Sequence, residues 1–267
     1  MTDRVLELAE GGARLRVHLN ALEIQQGPGP ALRVPLEEVG VLILSHPEVV
    51  LTAPVLSALA EAGATLVVCD AKRLPVAQLL PLAHHFAQGE RFRLQAEAPL
   101  PRRKRAWQAL VKAKIRAQGS LLQRLRGHDA GLLALAPKVQ SGDRTLLEAQ
   151  AARRYWPLLF QDPAFRRNRE GFDQNRYLNY GYAVLRAMTA RALAASGLHP
   201  GLGLHHHNRY DPFALASDLM EPFRTVVDER VVHLVERHGP DAELTQELRL
   251  ELLGVCHLRL EWEGESR

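Results

Sequence analysis

The chain has 267 residues, of which 46% are hydrophobic and 24% charged, and it carries a net charge of +4 with a pI near 9.3. This composition is typical of a globular protein with a sizeable core, and the lack of eighteen consecutive apolar residues argues against a membrane span. The N-terminus has no signal-peptide pattern, and Cys69 and Cys256 are too far apart in sequence for a zinc framework, so we expect a cytoplasmic protein.

The first 80 residues have the pattern of short strands. Turn residues such as Gly11, Asn20 and Gly27 separate segments that are alternating or rich in β-branched residues, which favours antiparallel β structure. One helix is predicted over Pro54–Ala62, with Thr52 as its N-cap. The predicted strands are Arg4–Ala9, Ala13–Leu19, Leu22–Gln25, Ala31–Val34, Val39–Ser45, Thr65–Cys69 and Pro75–Leu80.

From about residue 85 the pattern becomes helical. A polar linker with Pro99 and Pro101 contains a short predicted helix near Glu90–Glu97, and the 3.6-residue period dominates after it. The further helical segments are Lys104–Gln118, Leu121–Leu125, Asp129–Leu135, Thr145–Phe160, Leu178–Ala195, Pro212–His238 and Ala242–Leu253. We therefore predict an α+β protein with a small β domain over residues 1–85 and an all-helical domain over residues 86–267.

Basic residues concentrate in one part of the helical half. Between Pro101 and Arg126 there are nine Lys or Arg residues and neither Asp nor Glu. A stripe of one sign attracts phosphate backbones because binding releases condensed counterions. A solvated helix face explains the same charges, so charge alone leaves both interpretations open.

The stretch GLGLHHHNRYDPFALASDLMEPFR, residues 201–224, places three histidines just before two acids. Asp211 followed by Pro212 predicts a helix start. Asp218 and Glu221 then share one helix face, and Pro222 predicts a kink beside them. A histidine and two carboxylates suit Mn²⁺ or Mg²⁺, although a polar loop followed by surface acids explains the same residues.

Glu148 has a local interpretation of its own. Thr145 and Glu148 form the pattern of a capping box, in which the glutamate bonds back to the amide of the N-cap residue. That role accounts for Glu148 by itself, and nothing in the composition links it to the histidines.

Several long motifs stand in register along the chain. They are Trp107, Val111–Gln118, Leu147–Trp156, Asn175–Leu185, Gly197–His206 and Phe213–Arg224. Together they resemble the CRISPR-associated protein one endonucleases, which are spacer-acquisition integrases, and they look closest to the type II branch. The resemblance extends over roughly residues 4–235 and fades after about His238.

This resemblance implies a β-sandwich-like N-terminal domain and a helical catalytic domain. It also implies a divalent metal, Mg²⁺ or Mn²⁺, held by Glu148, His206 and Glu221, with Asp218 as a further acid that assists the site. The family's spacing favours His206 over His205, with an uncertainty of one position. The residues expected to hold the DNA backbone are Lys112, Lys114, Arg116, Arg209 and Arg224.

The implied activity is insertion of short DNA fragments into a CRISPR array by attack of a 3′-hydroxyl on a phosphodiester. The implied partners are double-stranded DNA (the fragment and the CRISPR repeat), a second copy in a homodimer, and a small ferredoxin-like adaptation protein. Two alternatives remain open from the residues: a stand-alone or transposon-type metal-dependent nuclease or integrase, and a DNA-binding scaffold without chemistry.

Overall fold

The computed structural model describes residues 4–71, 73, 75–81, 85–205 and 210–254, together with the backbone of residues 261–262 and 265–266. The chain forms two compact units. One consists of Met1–Gln88, Ala183–Gly197 and Thr245–Arg267, and the other of Gly89–Tyr182 and Leu198–Leu244. The domain bounds 1–85 and 86–267 stay a prediction, because a unit defined by contacts is not the same as a domain that folds alone.

Short strands dominate the first unit. In chain order they are β1 (Arg4–Leu8), β2 (Arg14–His18), β3 (Ala21–Gln25), β4 (Leu32–Pro35), β5 (Val39–Leu44), β6 (Val50–Leu51), β7 (Thr65–Cys69), β8 (Pro75–Leu79), β9 (Glu261–Trp262) and β10 (Glu265–Ser266). Two four-stranded sheets are formed, with the orders β1-β5-β7-β8 and β4-β3-β2-β6, and β9 pairs with β10.

The prediction of antiparallel β structure is wrong for much of the first sheet and for one strand pair of the second sheet. Strand β5 pairs in parallel with both β1 and β7, and β2 pairs in parallel with β6. Parallel neighbours need a crossover connection. Helix α1 (Ala53–Glu61) lies between β5 and β7 in the chain and supplies it. Turn residues mark where strands end but do not tell which strands pair.

One hydrophobic core joins the two sheets and α1. Leu22 and Ile24 come from the second sheet, Leu42 and Leu66 from the first, and Leu59 from the helix. All five side chains are buried. The first unit is therefore a sandwich-like packing of two sheets, as expected for the N-terminal part of the chain.

Most of the remaining described residues are helical, which confirms the α+β class. The helices are α2 (Gln88–Ala96), α3 (Leu100–Arg126), α4 (Leu132–Leu135), α5 (Leu147–Leu159), α6 (Asn175–Ala195), α7 (Ala214–Leu219), α8 (Arg224–His238) and α9 (Gln246–Leu253). In the second unit, α3, α5 and α8 share a core that includes Trp107, Ile115, Tyr155 and Val232. None of the helices in the described ranges combines the length and the apolar character that crossing a membrane requires.

Helix α3 is continuous where two helices were predicted. Gly119 lies between the two predicted helices, but it is buried inside the observed helix, and a Cβ atom there would lie 3.1–3.2 Å from side-chain atoms of Leu132 and Leu133. The glycine therefore allows α4 to approach α3 closely.

The segment predicted as one helix over Pro212–His238 is divided around Pro222. Helix α7 ends at Leu219, a 3-10 turn covers Glu221–Phe223, and α8 begins at Arg224. The predicted kink beside the acids is thus confirmed. The helix starts later than predicted, because the Asp211 carboxylate accepts a hydrogen bond from the Phe213 amide ahead of α7.

Candidate active site

Glu148 lies in the first turn of α5, where Asp143 caps the helix. The Asp143 carboxylate accepts hydrogen bonds from the amides of Leu147 and Glu148 at 2.9 and 3.0 Å. The predicted capping box is therefore wrong, because Thr145 does not cap the helix. Leu146, the residue just before the first helical residue, has a left-handed backbone with φ 53°. Since Asp143 satisfies the helix amides, the Glu148 carboxylate is available to α3.

Lys114 joins the two glutamates that the resemblance assigns to the metal. Its Nζ lies 2.6 Å from Oε1 of Glu148 and 2.6 Å from Oε2 of Glu221. The Lys114 side chain is only 14% exposed and that of Glu221 only 5%, whereas Glu148 is 25% exposed. Acids from α5 and from the 3-10 turn after α7 therefore converge on one cation.

Arg224 supplies a second positive charge to the cluster. Its guanidinium donates to Oε1 of Glu221 at 2.8 Å. Burial by itself would lower the pKa of Lys114, but the charges of Glu221 and Glu148 outweigh it and raise that pKa above its ordinary value. The same balance, with Glu221 as the main partner, raises the pKa of Arg224. Both cations stay charged.

Asp218 holds the loop that carries the histidines. Its carboxylate is fully buried, and its Oδ2 accepts hydrogen bonds from the amides of Leu204 and His205 at 2.6 and 3.0 Å. A carboxylate that accepts two amides from one loop fixes the path of that backbone. Asp218, which lies one turn before Glu221, thus holds the backbone of the loop at Leu204 and His205.

The His205 ring stacks on α3. Its centroid lies 4.4 Å from that of Trp107, with an angle of 3° between the rings. Trp107 is buried, so the contact fixes His205 against the core of the second unit. The neighbouring His206, and Arg209 after it, lie outside the described residues.

Two residues that sequence reasoning missed also hold this loop. The Gln95 side chain of α2 donates to the carbonyls of His199 and Leu202 and accepts from the His199 amide. Arg103 of α3 donates to the Gly203 carbonyl at 3.2 Å. No local pattern marks either residue, because both contacts join segments about a hundred positions apart in sequence.

The basic residues of α3 do not form one solvated face. Arg116 is exposed, Lys112 is half-buried, and Lys114 is paired with the two glutamates. Arg124 and Arg126 form ion pairs with Glu229 and Glu236 of α8. The DNA contacts assigned to Lys112, Lys114, Arg116, Arg209 and Arg224 stay a prediction.

Tyrosine hydroxyls surround a carboxylate behind Arg224. Asp228 is buried and accepts hydrogen bonds from Tyr155, at 2.7 Å, and from Tyr182. The guanidinium of Arg224 lies over the Tyr182 ring, 4.6 Å from its centroid. Burial raises the pKa of Asp228 to about 6, although the two tyrosine hydrogen bonds oppose the rise.

The donor set fits a divalent cation. Two carboxylates already share one positive group, and carboxylate oxygens are the ligands that Mg²⁺ and Mn²⁺ prefer. Among the described residues, no three His, Cys, Asp or Glu side chains form a metal cluster. The third expected ligand, His206, belongs to the part of the loop that is not described.

Comparisons with known proteins identify the family of the chain. The family model described as CRISPR associated protein Cas1 matches residues 6–247. The chain belongs to the Cas1 family. The CRISPR-associated endonuclease Cas1 of Neisseria meningitidis serogroup C (strain 8013) is 41% identical over 268 residues, which cover 99% of this chain and 86% of that protein. The predicted family is thereby confirmed.

Solved structures of Cas1 and related proteins share the fold at 18% identity. A casposase bound to integration product gives a TM-score of 0.77, over 100% of this chain and 86% of that one. TM1797, a Cas1 protein from Thermotoga maritima, gives 0.79 over 94% and 88%. A Cas6-RT-Cas1--Cas2 complex gives 0.71 over 96% of this chain and 32% of that one.

Proposed function

We propose that the protein is a metal-dependent DNA integrase of CRISPR adaptation. It would join short DNA fragments to a CRISPR repeat by attack of a 3′-hydroxyl on a phosphodiester. The observation that carries this proposal is the convergence of Glu148 and Glu221, from two separate segments, on one cation. Membership of the Cas1 endonuclease family supports the reaction class.

The residues that would hold Mg²⁺ or Mn²⁺ are Glu148, Glu221 and His206. When bound, the metal would lower the pKa of the attacking hydroxyl and balance negative charge on the phosphoryl oxygens. Asp218 would act as a positioning residue, because it holds the backbone that leads into His206. The stacking of His205 on Trp107 supports His206 as the ligand, since it holds the exposed His205 ring flat against α3.

Double-stranded DNA is the proposed substrate, both as fragment and as CRISPR repeat. Arg116 would contact phosphates from the exposed side of α3, and Lys112 would contribute from its half-buried position. Such contacts position a duplex without reading its bases. The likeness to a casposase bound to integration product supports this substrate class.

A homodimer and a small ferredoxin-like adaptation protein are the proposed protein partners. The likeness to the Cas6-RT-Cas1--Cas2 complex supports an assembly with a second adaptation protein. Co-purification of the two proteins, followed by measurement of the mass of the complex in solution, would test both partners together.

A plasmid integration assay tests the proposal. With the small partner, Mg²⁺ or Mn²⁺ and a plasmid that bears repeats, the protein should insert short duplexes. His206→Ala and Glu221→Ala should each abolish joining and leave DNA binding mostly intact, because both would remove metal ligands while the basic residues remain. Joining at close to the wild-type rate by either variant would contradict the ligand assignment.

Measurements of joining and of DNA binding together separate the alternatives. A DNA-binding scaffold predicts salt-dependent binding that is indifferent to Mn²⁺ and to Glu148→Ala. A stand-alone or transposon-type enzyme predicts metal-dependent joining that needs neither the partner nor a repeat.

A further inference from the structure

Lys114 occupies the position at which the two carboxylates of the proposed metal site meet. Its ammonium is 2.6 Å from an oxygen of each glutamate, and little of its side chain reaches solvent. Arg224 already pairs with the second oxygen of Glu221. Among the described residues, two negative charges therefore face two positive charges, and these four groups together are neutral.

A divalent ion added to this arrangement would meet both cations at close range. Like charges a few ångströms apart repel strongly where little water separates them. Arg224 is packed over the Tyr182 ring and contacts only one of the two glutamates. Lys114 contacts both, and its four-carbon side chain can redirect a single ammonium with little change elsewhere.

We propose that the Lys114 ammonium holds the place of the divalent ion in the metal-free protein and leaves Glu148 and Glu221 when the ion binds. This inference rests on the proposed metal site. Lys114 would thus stabilise two neighbouring carboxylates before loading and compete with the ion for them. Once released, the ammonium would be available for a DNA phosphate. Lys114 would therefore contact DNA only when the divalent ion is bound.

Chemical labelling of the wild-type protein tests the exchange directly. An amine-acetylating reagent is applied with EDTA or with saturating Mn²⁺, and mass spectrometry follows the modification of individual lysines. Lys114 should be acetylated slowly in EDTA and several-fold faster with Mn²⁺. Lys104, an exposed lysine on the same helix, is the matched control and should react equally in both conditions.

A variant provides a second readout. Lys114→Met keeps most of the length of the side chain but removes its charge, so the variant should bind Mn²⁺ at least about fivefold more tightly than wild type. In EDTA it should melt at a lower temperature, because two partly buried carboxylates lose a shared cation, and Mn²⁺ should restore the loss. Lys104→Met should change neither quantity.

The outcomes separate the two proposals. Equal labelling of Lys114 with and without Mn²⁺, in protein that binds Mn²⁺ in a manner sensitive to Glu221→Gln, would overturn the inference and leave the metal site intact. Weaker Mn²⁺ binding by Lys114→Met would overturn it as well. A wild-type protein that binds no Mn²⁺ at all would refute the proposed metal site itself.

Discussion

Asp228 is a buried acid that lies behind the candidate site and is not one of its proposed ligands. It accepts hydrogen bonds from Tyr155 of α5 and Tyr182 of α6, and the Tyr182 ring supports Arg224, which in turn pairs with Glu221. Three helices are therefore held together around one carboxylate. We infer that this network orients Glu221 through Arg224.

Asp228 also makes stability depend on pH. Its pKa rises from 3.8 to about 6 on folding, so the folded chain holds the carboxyl proton more tightly than the unfolded chain does. The charged form therefore opposes folding. This destabilisation is absent below about pH 4, grows as the pH rises towards 6, and is complete above that value.

Asp228→Asn should remove this destabilisation. The free energy of unfolding of the variant, relative to wild type, should increase between pH 4 and pH 7 by up to about 3 kcal/mol. Urea denaturation at several pH values measures the difference. Asp241→Asn, at an exposed position, is the control for loss of an ordinary carboxylate. A difference that stays constant over this range would contradict the account.

Local patterns drew attention to Asp218 and Glu221 as neighbouring acids, whereas only the family resemblance assigned Glu148 to the same site. They were not sufficient to identify Asp143, because a left-handed Leu146 separates it from the helix it caps, and such a conformation is uncommon for leucine. Thr145 and Glu148 matched the sequence pattern of a capping box, whereas Asp143 matched no such pattern. The partnership of Lys114 with two glutamates was also hidden, since it joins segments that are distant in sequence.

At the scale of elements, the start of α5 determines where Glu148 points. Asp143 accepts two helix amides there, and Leu146 turns the backbone between this cap and the first helical residue. The cap thus couples the stability of the helix to the direction of the glutamate.

Asp143→Ala should therefore lower the free energy of unfolding by about 1–2 kcal/mol, since two amides lose a charged acceptor. Thr145→Ala is the matched control and should have little effect, because Thr145 is exposed and does not cap the helix. Chemical denaturation of both variants measures the contrast. Equal losses of unfolding free energy, or a larger loss for Thr145→Ala, would favour a cap formed by Thr145 over the cap formed by Asp143.

Most helices were predictable because their apolar periods match the faces that are buried. Pro222 also correctly marked the break between α7 and α8. The predicted gap between Gln118 and Leu121 was wrong, since Gly119 is a buried helix residue that lets two helices approach closely. Strand direction was the other failure, because pairing depends on contacts that alternation does not encode.

At the scale of the whole molecule, one buried ion pair connects the two ends of the described chain within the first unit. Arg249 of α9 donates to Glu7 of β1 at 2.8 Å, and both side chains are 1% exposed. The hydroxyl of Ser45 donates to the same carboxylate oxygen. The C-terminal helix is thus joined to the first sheet by a charged contact as well as by apolar packing.

Arg249→Met should destabilise the protein by about 3–5 kcal/mol, because removal of one partner leaves the other charge buried. Arg4→Met provides the control: Arg4 forms an ion pair with Glu38 in which both side chains are substantially exposed, so its loss should cost at most about 1 kcal/mol. Thermal or urea unfolding compares the two. Similar losses of unfolding free energy in the two variants would show that the buried ion pair is no more important for stability than the exposed one.

In the proposed metal site, Glu148 and Glu221 bind one divalent ion together. Titration of Mn²⁺ into the protein, with free Mn²⁺ followed by electron paramagnetic resonance, measures this binding. We predict one site per chain in the wild type, at least about tenfold weaker binding in both Glu148→Gln and Glu221→Gln, and no change in Glu90→Gln at an exposed position. Undiminished Mn²⁺ binding in either of the first two variants would contradict the account.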